Sequence, residues 1–232
     1  MAAPASGPSK YNTIEITKEG KEPVELNAGC ISVDYYESLY SPVVTASILY
    51  IDAGGNVEND KGKLTTVKEA LPIEGLEEVK VKITTKTGEL DFTKEDNVFK
   101  VNRAPVITKE ANREVVLLDL VNKKEKQNDD TAIFDKYRGK ISDTVKKILK
   151  EKLELSNDKV EVDDTQNNYN FVGRGRGALN IVRDLCRRSV PVNGDAGYFF
   201  YQTKSKFKYK AIDELIKQDP FEEPYVYTGA LR

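Results

Sequence analysis

The 232-residue sequence has no histidine and no tryptophan, one methionine and only two cysteines, Cys30 and Cys186. Without histidine there is no Ser-His-Asp triad, no Glu-x-x-His metal site and no His-ligated zinc, and two thiols cannot complete a four-thiolate centre. No apolar run approaches the roughly 18 residues that span a bilayer, and the opening MAAPASGPSK holds no stretch of signal-peptide length, so no membrane anchor is expected. Two cysteines so far apart in a cysteine-poor chain fit reduced, packed thiols better than a bridge, and hence assembly in a reducing compartment. Carboxylates and lysine are the remaining routes to catalysis. The expectation is a protein that is not an enzyme, with no catalytic, cofactor-binding or metal-binding residues and no cofactor.

What is present describes a globular chain. Lys and Arg number 36 against 38 Asp and Glu, apolar residues make up 39%, and mean hydropathy is −0.54. Charge is unevenly divided: residues 1–116 carry 14 basic and 19 acidic side chains, the rest 22 and 19. Residues 174–210 hold nine basic side chains against only Asp184 and Asp195.

Texture changes along the chain as well. Period-two alternation predicts strands at 11–16, 43–51, 79–84, 90–92, 98–101 and 114–121, with Val79, Val81 and Ile83 on one face and lysines on the other. Leu64–Leu71 reads as a short helix or turn. About six strands with edges to hide point to a small barrel or sandwich. Helical periodicity begins later: Ile141, Val145, Ile148, Leu149 and Leu153 define a helix with lysines outward, capped by Ser142 or Asp143. A second helix is predicted from Ala178 to Arg188, with Cys186 in the core, then an aromatic hairpin over 198–210 and a short helix at 212–217. The predicted domains are a flexible arm at 1–10, an all-β domain at 11–124, a hydrophilic linker at 125–131 and an α+β domain at 132–232.

Four constellations could carry chemistry. Gly173-Arg174-Gly175-Arg176-Gly177 has the look of a phosphate-gripping loop opening a helix, but no Lys-Ser/Thr pair follows, and a flexible turn is the simpler account. Tyr198, Phe199, Phe200, Tyr201, Phe207 and Tyr209 alternate with Lys204, Lys206, Lys208 and Lys210, the pattern of a basic sheet with stacking rings. A nucleic-acid-binding module built on that hairpin is the alternative reading. The carboxylate pairs Asp129/Asp130, Asp163/Asp164 and Glu222/Glu223 sit in polar surroundings without the apolar setting that raises an acid's pKa, which argues against a carboxylate hydrolase. Asp52 with Asn56–Asp60 suggests a β-turn more than a cation loop.

Four ordered stretches carry a family resemblance: 29–55 (GCISVDYYESLYSPVVTASILYIDAGG), 71–85 (LPIEGLEEVKVKITT), 137–153 (YRGKISDTVKKILKEKL) and 169–216, closing on AGYFFYQTKSKFKYKAIDELI. Together they resemble the central baseplate hub protein of contractile-tailed, T-even-like phages. The sequence departs from that pattern at Lys206, Ala211 and the Gly-Arg repeat. The resemblance implies a tail-tube-like β-barrel followed by a smaller α+β domain, with this chain corresponding to the N-terminal portion of a hub. It further implies a structural virion protein of the tail baseplate, assembled in the host cytoplasm. Expected partners are the chain itself as a homotrimer, the central spike protein, the tail tube protein and neighbouring baseplate proteins, with DNA passing only transiently through the channel. The expected ring-forming strands are Val43–Ile51 and 79–84, and the acidic first half would suit a lumen that does not grip DNA.

Overall fold

A computed structural model of the chain describes residues 9–220 apart from 56, 59–61, 87, 96 and 112. Most of the expected N-terminal arm, Asn56, Asp60 and the Glu222/Glu223 pair therefore lie outside the described residues. The arm's last residue, Lys10, already opens the first strand.

The first half contains β1 (Lys10–Thr17), β2 (Val24–Glu25), β3 (Cys30–Tyr36), β4 (Thr45–Asp52), β5 (Val57–Glu58), β6 (Leu64–Thr65), α1 (Val67–Ala70), β7 (Glu78–Thr84), β8 (Glu89–Phe92), β9 (Phe99–Arg103), β10 (Val106–Lys109) and β11 (Glu114–Asn122). Nine of these strands form one antiparallel sheet in the order β2-β1-β7-β9-β11-β4-β3, with β8 added to β7 and β10 to β11. Alternation decides which face turns inward. Ile14, Ile16, Ile48, Tyr50, Val79, Val81, Phe92, Phe99, Leu118 and Leu120 turn inward into one core, and the opposite positions meet solvent. The lysines of β7 face outward as expected and are also paired across strands, Lys80 with Glu15 at 3.1 Å and Lys82 with Asp91 at 3.3 Å.

The turn Asn27–Gly29, between β2 and β3, draws the two flanks of the sheet together. Asn27 Oδ1 accepts the Ile14 amide at 2.6 Å, and the carbonyl of Ile51 lies 2.5 Å from where a Gly29 Cβ would sit. Any side chain at position 29 would push β4 away from β1.

The second half contains α2 (Lys123–Asp130), β12 (Lys136–Tyr137), α3 (Ile141–Lys152), β13 (Val160–Val162), β14 (Phe171–Val172), α4 (Ala178–Cys186), β15 (Tyr198–Gln202), β16 (Phe207–Ala211) and α5 (Ile212–Ile216). Here α3 and α4 pack on the sheet β13-β16-β15, in which β13 runs parallel to β16. Ile141, Val145, Ile148, Leu149, Val182, Leu185, Phe200 and Tyr209 centre this second core.

Two expectations are corrected here. The stretch read as a linker is the helix α2, which continues directly from β11. Its eight residues are polar, so no apolar period marks it. Tertiary contacts fix it instead: Asn122 caps it by accepting the Lys124 amide at 3.0 Å, and the buried Lys124 Nζ donates to the Leu153 carbonyl at 2.7 Å. Nor is α3 capped by Ser142 or Asp143. Its N-cap position is Lys140, and Thr165 Oγ1, 24 places on from the helix's first residue Ile141, accepts the Ser142 amide at 3.0 Å.

A buried amide cluster clasps the two cores together. Gln202, 3% exposed, accepts the Val44 amide through Oε1 at 3.0 Å. Asn122 Nδ2 donates to Asn97 Oδ1 at 3.0 Å, and Asn97 Nδ2 donates to the Lys204 carbonyl at 3.1 Å. Glu37 Oε1 accepts the Lys204 amide at 2.6 Å, and Tyr40 meets the Phe199 ring edge-on at 5.6 Å. The irregular segment before β4 therefore serves as a seat for the aromatic hairpin.

Candidate functional site

The strands expected to form subunit contacts are central, not free. β4 is paired with β11 on one side and β3 on the other, and β7 lies between β1 and the pair β8/β9. The physical reason is that the most regular alternating strands bury the most apolar surface when flanked on both sides. The free edges belong to segments that are shorter or carry a register shift. β2 and β3 end the sheet, and β10 pairs only with β11. All four residues of β10 are exposed, including Val106 and Ile107 (56% exposed). β3 carries exposed Ile31 and Tyr36, and Leu39 and Tyr40 follow it. An unpaired strand edge beside exposed apolar side chains is a template for another chain.

The aromatic hairpin forms at β15 and β16, but five of its six rings are not available to bases, and the half-buried Phe199 packs on Tyr40. Tyr198, Phe200, Tyr201, Phe207 and Tyr209 are all buried, and β13 covers the outer edge of β16. Lys210 is held by Glu161 at 2.5 Å and Asp163 at 2.9 Å. Alternation puts every second ring inward, and Tyr201 on the other face is buried as well.

The Gly-Arg string is a tightly packed turn rather than a phosphate cradle or a flexible one. Gly173 abuts the Ile133 backbone, Gly175 has φ +72° beneath the Phe134 ring, and a Cβ at Gly177 would lie 2.5 Å from Asn128 Oδ1. That same Asn128 oxygen accepts the Leu179 amide at 2.8 Å, so the N-terminus of α4 is filled from α2. The glycines are explained by packing; the arginines face a recess of about 290 Å³ between β14 and α4.

Several of the titratable groups singled out in the sequence have structural partners. Asp164 accepts a hydrogen bond from Lys146, which holds its carboxyl below the usual range. Asp130 pairs with Lys126. Asp52 accepts the amides of Val67 and Lys68 at 2.9 and 3.2 Å and so caps α1. Both cysteines are free, as expected; burial pushes the Cys186 thiol up to about 12, far from a nucleophile's range, and raises Cys30 as well. Among the described residues no cluster of metal-ligating side chains occurs, and no helix is long and apolar enough to cross a membrane.

With this geometry established, comparison with solved structures places the fold. The chain shares the fold of a 43 kDa tail protein of prophage MuSo2 from Shewanella oneidensis, with a TM-score of 0.51 at 10% identity over 87% of this chain and 53% of that one. A tail protein from Neisseria meningitidis MC58 aligns at a TM-score of 0.44 and 10% identity, covering 85% of this chain and 49% of that one. An E. coli component of the type VI secretion system, described as structurally similar to bacteriophage T4 tail proteins gp27 and gp5, aligns at 0.44 and 9% identity, covering 88% and 46%. The chain spans about half the length of these solved proteins. No protein-family model and no curated protein matches the sequence. The class is thus a β-rich α+β chain, a curled antiparallel sheet followed by a smaller α+β unit, with a phage-tail-protein fold.

Proposed function

We propose that this chain is a structural subunit of a contractile phage tail, a baseplate hub component joining the tail tube to the central spike. The observation that carries the reading is the curled nine-stranded sheet with unpaired, partly apolar edges at β2, β3 and β10, in a fold shared with a phage tail protein. Such edges are a liability in a monomer and an interface in a ring, where sister copies or tube subunits complete them. The protein works by subunit contacts rather than bond chemistry, in keeping with its lack of histidine and with carboxylates held in ion pairs. Its partners are itself, as a homotrimer, the spike and tube proteins and adjoining baseplate proteins, and its location is the virion. DNA touches it only in transit.

Co-expression with the tube and spike proteins of the same tail tests this. The expected result is co-purification as a defined assembly, lost on Ile107→Lys, which places a charge on the free β10 edge. A chain that stays monomeric and binds neither partner sinks the proposal.

A further inference from the structure

The recess between β14 and α4 is lined by Arg174, Arg176 and Arg188 against a single acid, Asp184. Arg176 is already neutralised by Asp184 at 2.6 Å. Arg188 lies 4.8 Å from the centroid of Tyr169, at the end of a ring stack running through Phe171 to Tyr137. Arg174, held at φ +56° between two glycines, has no side-chain partner among the described residues. Beside it Phe134 is 71% exposed and Val172 is exposed too. Arginines and rings around a small recess have the composition of a protein interface centre, not of a solvated face. At about 290 Å³ the recess takes one inserted side chain or a short segment, not a large cofactor.

The complementary charge is on the sheet. Its acids are mostly matched to cations: Glu15 to Lys80, Glu78 to Lys100, Asp91 to Lys82 and Glu114 to Lys109. The β1–β2 hairpin differs. Glu19, Glu22 and Glu25 are exposed, and none has a cationic partner within 4.0 Å among the described residues. Glu25 also lies directly across from Glu15, a like-charge pair in which Lys80 serves only Glu15. This hairpin sits at the sheet's end, and no further strand pairs beyond β2 among the described residues.

We infer that the arginine recess is a binding site for the unpaired carboxylates of the β1–β2 hairpin, Glu25 foremost, of a second copy of this chain. Each copy offers one hairpin and one recess, so successive copies can repeat the contact head-to-tail, as the ring of the proposed function requires. An incoming guanidinium gives Glu25 the counter-charge its own sheet withholds, and Arg174 gains the planar carboxylate partner it lacks. The inference rests on the self-assembling reading above and adds the two surfaces that meet.

Sedimentation of the full chain at low and moderate salt provides the test, with circular dichroism to verify folding. Self-association is expected to weaken with salt, and Arg174→Glu or Glu25→Arg alone to weaken it about tenfold or more. The double variant, with both charges reversed, regains association. Should Arg174→Glu misfold, Arg174→Gln carries the same single-site comparison. Association that ignores both single variants, or a double variant that stays weak, overturns the contact and leaves the tail reading intact. A chain that is monomeric alone yet joins tube or spike does the same. A chain that does neither overturns both.

Discussion

Gln202→Leu removes one buried bond between the two cores at little cost in shape. Oε1 of Gln202 is the acceptor for the Val44 amide at 3.0 Å, and Val44 is 0% exposed, so no water replaces it. A buried amide left without an acceptor costs about 1–3 kcal/mol. The second bond, from Nε2 to Asn97 Oδ1, is long at 3.4 Å, and Asn97 keeps its 3.0 Å bond from Asn122, so its loss adds little. The expected destabilisation is therefore about 1–3 kcal/mol, or about 2–12 °C in Tm for a chain of this size. Urea unfolding followed by circular dichroism and tyrosine fluorescence reads it as a lower midpoint at unchanged slope. Hydrogen exchange at Val44 should quicken in the folded protein. A loss below about 0.5 kcal/mol, with Val44 exchanging as slowly as before, would show that the clasp does not fasten the two cores.

Other outcomes follow from the same geometry. Gly177→Ala drives a methyl into Asn128, whose side chain is fixed by Leu179, and should cost about 1–3 kcal/mol in thermal unfolding; a neutral result would refute the close packing of α2 on α4. The Cys186 thiol, raised by burial, should resist a thiol reagent at pH 8 until the protein unfolds, so rapid native labelling would contradict its placement in the core. The hydrogen bond from Lys210 lowers the folded pKa of Glu161 below its unfolded value of about 4.5. Its contribution is thus complete above that value and is lost as pH falls through the folded pKa, so Lys210→Met should flatten the stability curve between about pH 5 and 3. An unchanged acid limb would remove Glu161 from the account.

The aromatic hairpin shows how far pattern reading reached and where it stopped. Alternation located β15 and β16 and gave each ring its neighbour, but which face was covered depended on α3, α4 and the approach of Val44, all distant in sequence. The same limit governs the edges. Regular alternation found β4 and β7, and their regularity is the reason they are interior strands; β10 went unseen because four exposed residues carry no burial pattern. The Gly-Arg repeat was conspicuous as a string, yet its glycines answer to Ile133, Phe134 and Asn128, which no spacing rule connects to them.

Composition and periodicity by themselves determined a histidine-free chain with few thiols, a β-rich first half, the amphipathic α3 and a basic segment over 174–210. These are local properties, fixed by which side chains follow one another. The helical identity of the polar stretch α2, the amide clasp, the true sheet edges and the juxtaposition of arginines with a ring stack arose only in three dimensions. Each depends on partners tens of residues away, whose burial and hydrogen bonding decide what an isolated segment leaves open.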